Sequence, residues 1–207
     1  MKLMVVSPST KKYADDYEHN KIIVVTTPPT NETLKEKDKY EDVTAIGGGS
    51  VIDTAKILCK CAIIAIPTTY SGACGTNHAV YWDNDNKCNI KCEYPIVRLE
   101  EKYLEGLPKE IEAISKIDCL CHIIESLVSP KATEESDKLA LESIEAIRQN
   151  HWLYASVLAG NAISYSGTNL IHGMSYPLTA KYKIPHGVAL AHILTLAEKY
   201  DKVKELL

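Results

Sequence analysis

Arginine is scarce in this 207-residue chain, which contains only Arg98 and Arg148. The formal net charge is −4 and no basic stripe is present, which argues against a nucleic-acid-binding surface. The sequence has no apolar run long enough to span a bilayer. The apolar stretch Met1–Val6 is also too short, and too quickly followed by polar residues, for a secretory signal. We therefore expect a cytoplasmic protein with neither nucleic-acid nor membrane partners.

The cysteines also lack a pattern that would predict a disulfide framework or a structural zinc site. They are odd in number, and one residue separates the members of two close pairs while three separate those of a third. Zinc ribbons need other spacings, and disulfide frameworks need an even number in a secreted chain. We expect reduced thiols that act as small apolar side chains: Cys59, Cys61, Cys74, Cys88, Cys92, Cys119 and Cys121.

The first half of the chain alternates short β-branched runs with polar or helical stretches. Such runs are typical of buried parallel strands, and the stretches between them predict a βαβ arrangement. A polar turn in the middle of 78–94 predicts a hairpin. The expected strands are Leu3–Val6, Ile22–Thr26, Val43–Ile46 and Ala62–Ile66, with helices over Glu32–Lys39 and Ser50–Lys60.

The composition shifts near Arg98, and from Lys109 onward the apolar spacing is helical. We therefore predict an α/β domain over residues 1–98 and an all-helical domain over residues 99–207. Acidic residues at the start of the second of these helices suit a helix N-terminus. The expected helices are Ile111–Val128, Glu134–Gln149, Trp152–Ser166 and Val188–Tyr200.

Three consecutive glycines, Gly47–Gly49, lie between a predicted strand and a predicted helix. Glycine allows the backbone to approach a phosphate, and the helix N-terminus offers N–H groups and partial positive charge. A tight strand-to-helix turn without a ligand fits the same residues. A second loop, Ile66–Asn77, follows the next strand, and open α/β sheets bind ligands where two such loops meet.

Four residues of the second half have the chemistry of a metal site. Asp118 and His122 are four residues apart and share one face of a predicted helix. His172 and His186 each precede a glycine, which permits close approach. Together they offer three nitrogens and one oxygen, a set that suits zinc or ferrous iron. Taken singly, a histidine is more often an ordinary surface or core residue than a metal ligand.

Several of these motifs occur together and in a specific order. Ile-Gly-Gly-Gly-Ser-Val-Ile-Asp-Thr-Ala-Lys (46–56), Ile-Pro-Thr-Thr (66–69), Asp-x-x-x-His (118–122) and His172 with Pro-His-Gly (185–187) resemble the iron-containing alcohol dehydrogenase family. The resemblance implies an α/β dinucleotide-binding layer followed by a helical metal-binding domain, the dehydroquinate synthase-like fold. It implies that Fe2+ or Zn2+ is bound by Asp118, His122, His172 and His186. It also implies NAD(P) contacts from Gly48, Gly49, Ser50, Asp53, Thr68, Thr69 and Lys87.

Other stretches resemble one branch of that family, the phosphonoacetaldehyde reductases. They include 81–87, 122–126, 155–164 and 175–180. Many members of the wider family have a histidine near the nicotinamide where this chain has Tyr176, so the resemblance implies Tyr176 as a catalytic candidate. The branch tends to place a basic residue at the position of Gly167, and no cation stands there. The resemblance to the branch is therefore weaker than that to the family.

The implied activity is hydride transfer between NAD(P)H and a small aldehyde or primary alcohol. Members of the family are longer, so we expect a shortened member with fewer helices and a homo-oligomer that covers apolar surface. Three alternatives stay open: a polyol dehydrogenase or dehydroquinate synthase relative, a catalytically impaired remnant that binds nucleotide or metal, and a structural protein.

Overall fold

The structure, a computed structural model, describes residues 1–197 and consists of two compact units. The first contains Met1–Thr69 and Ala73–Leu107, and the second contains Tyr70–Gly72 and the chain from Pro108 onward. The second unit therefore begins later than the predicted boundary near residue 98. The intervening turn stays with the first unit because Tyr103 is buried in its core and donates a hydrogen bond to Asp16 Oδ2 at 2.7 Å.

A parallel sheet forms the first unit, and its five strands are β1 (Lys2–Val6), β2 (Lys21–Val24), β3 (Asp42–Gly47), β4 (Ile64–Pro67) and β7 (Ile96–Val97). They lie in the order β2-β1-β3-β4-β7. The four predicted strands are confirmed, and their β-branched residues contribute to the core. The edge strand β7 has two residues, too few to produce a recognisable pattern.

Two helices and a hairpin complete this unit. Helix α1 (Asn31–Leu34) is one turn long, shorter than predicted. Helix α2 (Gly49–Leu58) begins directly after the glycines and is buried from Val51 to Leu58. Strands β5 (His78–Asp83) and β6 (Asn86–Lys91) form the expected antiparallel hairpin around the polar turn.

Lys56 on α2 ties the loop after β4 to the helix. Its buried ammonium group donates to Ala73 O at 2.6 Å, Thr76 Oγ1 at 2.8 Å and His78 O at 2.8 Å. The carboxylate of Asp53 lies 3.9 Å from the same nitrogen. Burying an ammonium is costly unless its protons are satisfied, and here three acceptors meet the three protons.

Within the described residues, the second unit contains five helices: α3 (Lys109–Val128), α4 (Glu134–Arg148), α5 (Trp152–Ser166), α6 (Leu170–Tyr182) and α7 (His186–Ala197). Three of them were predicted with nearly the observed bounds, and α4 begins at a capping box formed by Thr133 and Ser136. Two apolar clusters, which contain Cys119 and Cys121, pack on either side of α3.

Helix α6 was not predicted because Gly173 and Pro177 stand inside it, and both residues disfavour a helix interior. Helix α7 begins at His186, before the predicted start at Val188, and the expected end at Tyr200 lies outside the described residues. Among residues 1–197, no helix combines the length and the apolar character needed to cross a membrane.

Candidate metal centre

Helix α3 positions two of the four candidate ligands on one buried face. Asp118 and His122 are four residues apart, and each side chain is about nine-tenths buried although it stands in an otherwise apolar stretch. His122 Nε2 lies 3.4 Å from Asp118 Oδ1. A buried carboxylate needs a compensating partner, and the helical spacing supplies one from the next turn.

Helices α6 and α7 bring the other two candidates to the same place. His172 Nε2 lies 3.2 Å from Asp118 Oδ1, the oxygen that also faces His122. The rings of His122 and His172 stack with 4.7 Å between their centroids, and the rings of His172 and His186 are 5.4 Å apart. Asp118 and His172, 54 positions apart, therefore contact each other, and the ring of His186 lies beside that of His172.

This cluster fits a divalent ion. One ligand atom each from Asp118, His172 and His186 lies within 4.8 Å of the others. Ligand atoms about 2.1 Å from a tetrahedral ion stand roughly 3.4 Å apart, close to the 3.2 and 3.4 Å between Asp118 Oδ1 and the two imidazole nitrogens. The three nitrogens and one oxygen are donors that zinc and ferrous iron accept. Asp118, His172 and His186 therefore form one group, and His122, which is outside that group, adjoins it through the 3.4 Å contact of its Nε2 with Asp118 Oδ1.

The electrostatics of the cluster keep its carboxylate ionised. Burial by itself raises the pKa of Asp118, but the imidazoles of His122, His172 and His186 outweigh it and hold that pKa well below its usual range. Burial likewise lowers the pKa of His172, and hydrogen bonds to Asp118 and Glu125 reverse the shift and raise it. An ionised carboxylate is a suitable ligand for a divalent cation, and a bound cation would replace the protons on the imidazole nitrogens that face it.

Glu125 is a functional candidate that the sequence interpretation missed. Its side chain is 1% exposed, and Oε2 lies 2.5 Å from His172 Nδ1. Its spacing in the sequence could have identified it, since Glu125 follows His122 by three residues on the same face of α3. A carboxylate behind a ligating histidine is the usual outer partner in metal sites.

Two glycines allow backbone segments to approach the cluster closely. Gly72 has φ +80°, and a Cβ there would lie 2.7 Å from Ser156 O and 3.4 Å from His122 Nδ1. A Cβ on Gly187, next to His186, would lie 2.7 Å from Ile114 O. Both positions therefore require glycine, one to seat the loop against His122 and the other to seat α7 against α3.

Tyr176, the predicted catalytic residue, lies beside the cluster on α6. Its ring stacks on that of His186 at 6.2 Å and meets that of His172 edge-on at 6.4 Å. The hydroxyl is 3.3 Å from Thr168 Oγ1. Burial raises the pKa of Tyr176, so the phenol stays protonated near neutral pH and is available as a donor.

The glycine turn of the first unit has the backbone geometry expected of a phosphate-binding loop. Gly48 is the N-cap of α2, and no side chain caps the helix, whose first turn contains no acidic residue. A Cβ on Gly48 would lie 3.2 Å from Thr69 Cγ2, so the glycine and the Thr69 side chain lie side by side. The parallel pairing of β3 with β4 places the turn and the second loop at the same edge of the sheet.

The remaining predicted cofactor contacts divide into two groups. Gly49 and Ser50 form the first turn of α2, where backbone N–H groups lack helical partners. Asp53 is buried one turn further on, and burial raises its pKa to about 6 although Lys56 and Lys87 act against the shift. Thr68 is buried and donates its backbone N–H to Gly47 O at 3.1 Å, so it fixes the turn.

Gly48→Ala is expected to weaken NAD(P)H binding by about tenfold while the fold survives. The backbone of Gly48, at φ −80° and ψ −170°, is open to any residue, so the added methyl acts by filling the surface beside Thr69. A tenfold loss corresponds to about 1.4 kcal/mol. Fluorescence titration with NADH and NADPH measures it. Gly173→Ala, a helical glycine with open space around its Cβ position, is the matched control and should bind as the wild type does.

Comparisons with known proteins agree with this geometry. The family model described as the C-terminal part of the Fe-containing alcohol dehydrogenase family matches residues 148–205, which include His172 and His186. A crystal structure of an iron-containing alcohol dehydrogenase from Thermotoga maritima superposes with a TM-score of 0.79 at 25% identity, covering 99% of this chain and 75% of that one. These similarities point to the iron-containing alcohol dehydrogenase family.

Curated relatives from that family are similar to most of this chain. A 4-hydroxybutyrate dehydrogenase of Clostridium kluyveri is 27% identical in an alignment 199 positions long that covers 73% of this chain and 52% of the relative. A lactaldehyde reductase of Escherichia coli is 27% identical in an alignment 187 positions long that covers 81% of this chain and 48% of the relative. The chain therefore spans about half the length of these curated relatives.

Proposed function

We propose that this chain catalyses metal-dependent hydride transfer between NAD(P)H and a small aldehyde, with the primary alcohol as product. The observation that carries the proposal is the shared oxygen of Asp118, which lies 3.2 Å from His172 Nε2 and 3.4 Å from His122 Nε2 in a buried pocket of imidazoles. Burying a carboxylate costs free energy unless other charges offset it, and a cation bound among these side chains would do so.

Asp118, His122, His172 and His186 would hold Fe2+ or Zn2+. When bound, the ion supplies a Lewis acid that polarises the substrate carbonyl. The imidazoles and the carboxylate keep that position fixed, since their helices pack tightly around it. The Tyr176 hydroxyl, protonated near neutral pH, would orient the substrate or pass a proton to the product oxygen.

The glycine turn would hold the cofactor pyrophosphate through the N–H groups of Gly49 and Ser50, with Gly48 leaving room for it. Thr69 lines the same surface, Thr68 fixes the turn, and Asp53 and Lys87 border it. The nicotinamide supplies the hydride when bound, and we propose either NAD or NADP because no acidic residue in 7–12 would repel a 2′-phosphate.

The substrate is proposed from chemistry shared by the relatives. Their names refer to 4-hydroxybutyrate, lactaldehyde, 1-propanol and 1,3-propanediol, all small and oxygenated. A phosphonoacetaldehyde reductase is the narrower proposal. It has less support, because Gly167 offers no side chain for the phosphonate and a dianion needs charge-assisted donors.

We also propose a cytoplasmic homo-oligomer. Three large apolar side chains on α6, Leu170, Met174 and Tyr182, are each about half exposed or more. Exposed apolar side chains on one helix are a common feature of subunit interfaces.

The proposal is tested by measuring metal content and NADH or NADPH oxidation with a panel of aldehydes. The panel contains lactaldehyde, propanal, the aldehyde of 4-hydroxybutyrate and phosphonoacetaldehyde, each with and without a chelator. We expect bound iron or zinc, turnover with at least one aldehyde, and loss of turnover with chelator. His186→Ala should lose metal and lower kcat/KM by about a thousandfold, since a Lewis acid contributes several kcal/mol.

His192→Ala is the matched control, because His192 is an exposed histidine on the same helix. It should retain metal and turnover. Full activity in His186→Ala would refute the assignment. Metal binding without turnover on any aldehyde or polyol would instead favour the impaired remnant, and turnover on polyols alone would favour a polyol dehydrogenase.

A further inference from the structure

Glu125 has an unusual set of partners for a buried carboxylate on α3. Its side chain is 1% exposed and forms no ion pair with a lysine or arginine in the described part of the chain. Both oxygens are instead directed at one residue of another helix. Oε1 accepts the backbone N–H of His172 at 3.1 Å, and Oε2 lies 2.5 Å from its Nδ1.

The backbone contact caps helix α6. His172 is the third residue of that helix, where N–H groups have no helical acceptor, and the N-cap residue Asn169 supplies no side-chain hydrogen bond. The backbone of Asn169 also hydrogen-bonds to the Glu125 carboxylate. The Glu125 carboxylate, on a neighbouring helix, thus caps α6 in place of an N-cap side chain. Its negative charge also interacts favourably with the helix dipole.

The side-chain contact decides which imidazole nitrogen is free for a cation. A carboxylate can only accept, so His172 Nδ1 must bear the proton. In the neutral ring, Nε2 then has the lone pair, and Nε2 is the atom that lies 3.2 Å from Asp118 Oδ1. The same carboxylate therefore fixes both the position of the helix and the tautomer of its histidine.

We propose that Glu125 is a positioning residue for the metal centre: it holds His172 as the Nδ1–H tautomer, so that Nε2 is always presented to the cation. The inference rests on the proposed function. It predicts that this one side chain links the position of the first turn of α6 to the affinity of the site for a metal ion.

Glu125→Gln tests this coupling with little change in shape. Glutamine has one acceptor oxygen, whereas the backbone N–H and Nδ1–H of His172 need two. The amide NH2 of the glutamine would then face one of these donors. If His172 changed to its other tautomer to avoid this contact, its proton would move to Nε2. We expect the affinity of the metal-free protein for Co2+ to fall 10- to 100-fold, measured by visible absorption in competition with a chelator.

Glu110→Gln is the matched control, because Glu110 is an exposed glutamate on the same helix. It should bind Co2+ as the wild type does, with the same spectrum. Circular dichroism shows whether each variant keeps its helices. If Glu125→Gln is unfolded, Glu125→Asp is tested in its place. The aspartate keeps the negative charge but is too short to reach both the backbone N–H and the Nδ1–H of His172. It should also bind Co2+ at least tenfold more weakly than the wild type.

Folded Glu125→Gln with wild-type Co2+ affinity and spectrum would overturn the inference, as would wild-type affinity in Glu125→Asp. A purely structural role would lower the melting temperature and leave the affinity of the folded protein unchanged, which also counts against it. Failure of the proposed function is distinguishable, because it would show in the wild type itself, as no Co2+ binding or as Co2+ binding without turnover, and not as a difference between wild type and variant.

Discussion

Asp118→Asn is expected to abolish metal binding and to lower kcat/KM by about three orders of magnitude or more, while the helices remain folded. Asp118 supplies the single oxygen that faces His122 Nε2 and His172 Nε2. Asparagine keeps the volume but removes the negative charge that offsets the cation. Several kcal/mol of lost Lewis-acid stabilisation corresponds to a rate change of this size. Elemental analysis and steady-state kinetics with NADH measure both effects.

Asp137→Asn provides the comparison, since it makes the same chemical change in the first turn of α4. It is expected to retain metal and to lose at most a few tenths of a kcal/mol of stability from the helix dipole. A metal-loaded, active Asp118→Asn protein would contradict the assignment of this carboxylate as a ligand. Loss of activity together with loss of helical signal would show that Asp118 acts through the fold.

Lys56→Met is expected to lower the free energy of unfolding by about 3 to 5 kcal/mol. The methionine fills a similar volume, but Ala73 O, Thr76 Oγ1 and His78 O lose a donor at 2.6 to 2.8 Å. Thr76 Oγ1 can still donate to one of the two carbonyls, so at least one buried acceptor is left unpaired. Urea denaturation followed by circular dichroism measures the change.

Lys60→Met is the corresponding control near the end of α2. Its side chain is 64% exposed and its ammonium group lies 3.8 Å from Glu41 Oε1, a surface pair that contributes little. We expect a change within about 0.5 kcal/mol. If Lys56→Met were equally neutral, the hydrogen bonds to the loop would have to be replaced by solvent, and Lys56 would not hold the loop in place.

The elements that could be predicted are those with a local pattern. The strands around Val5 and Ile46 are short apolar runs rich in β-branched residues, and α3 has regular apolar spacing, so their type followed from the sequence. Helix α6 could not be predicted in this way, because Gly173 and Pro177 lower its helix propensity. Tertiary packing of Ile171 and Leu178 stabilises it instead.

The candidate site was predictable in its residue types but not in its connections. The four-residue spacing of Asp118 and His122 is enough to place them on the same face of a helix. The approach of His172 depends on how α6 packs, which no local pattern encodes. For the same reason the contacts of Glu125 and Gly72 were missed, since each acts on a residue more than forty positions away.

The assignment of Tyr70–Gly72 to the helical unit has a consequence for dissecting the protein. A fragment that starts at Pro108 would contain all four candidate ligands yet lack the tripeptide whose Gly72 packs beside His122 Nδ1 and Ser156 O. Such a fragment would leave one side of that imidazole open to water. Grafting the tripeptide back through a short linker, rather than trimming at the helix boundary, is the design that would preserve the pocket.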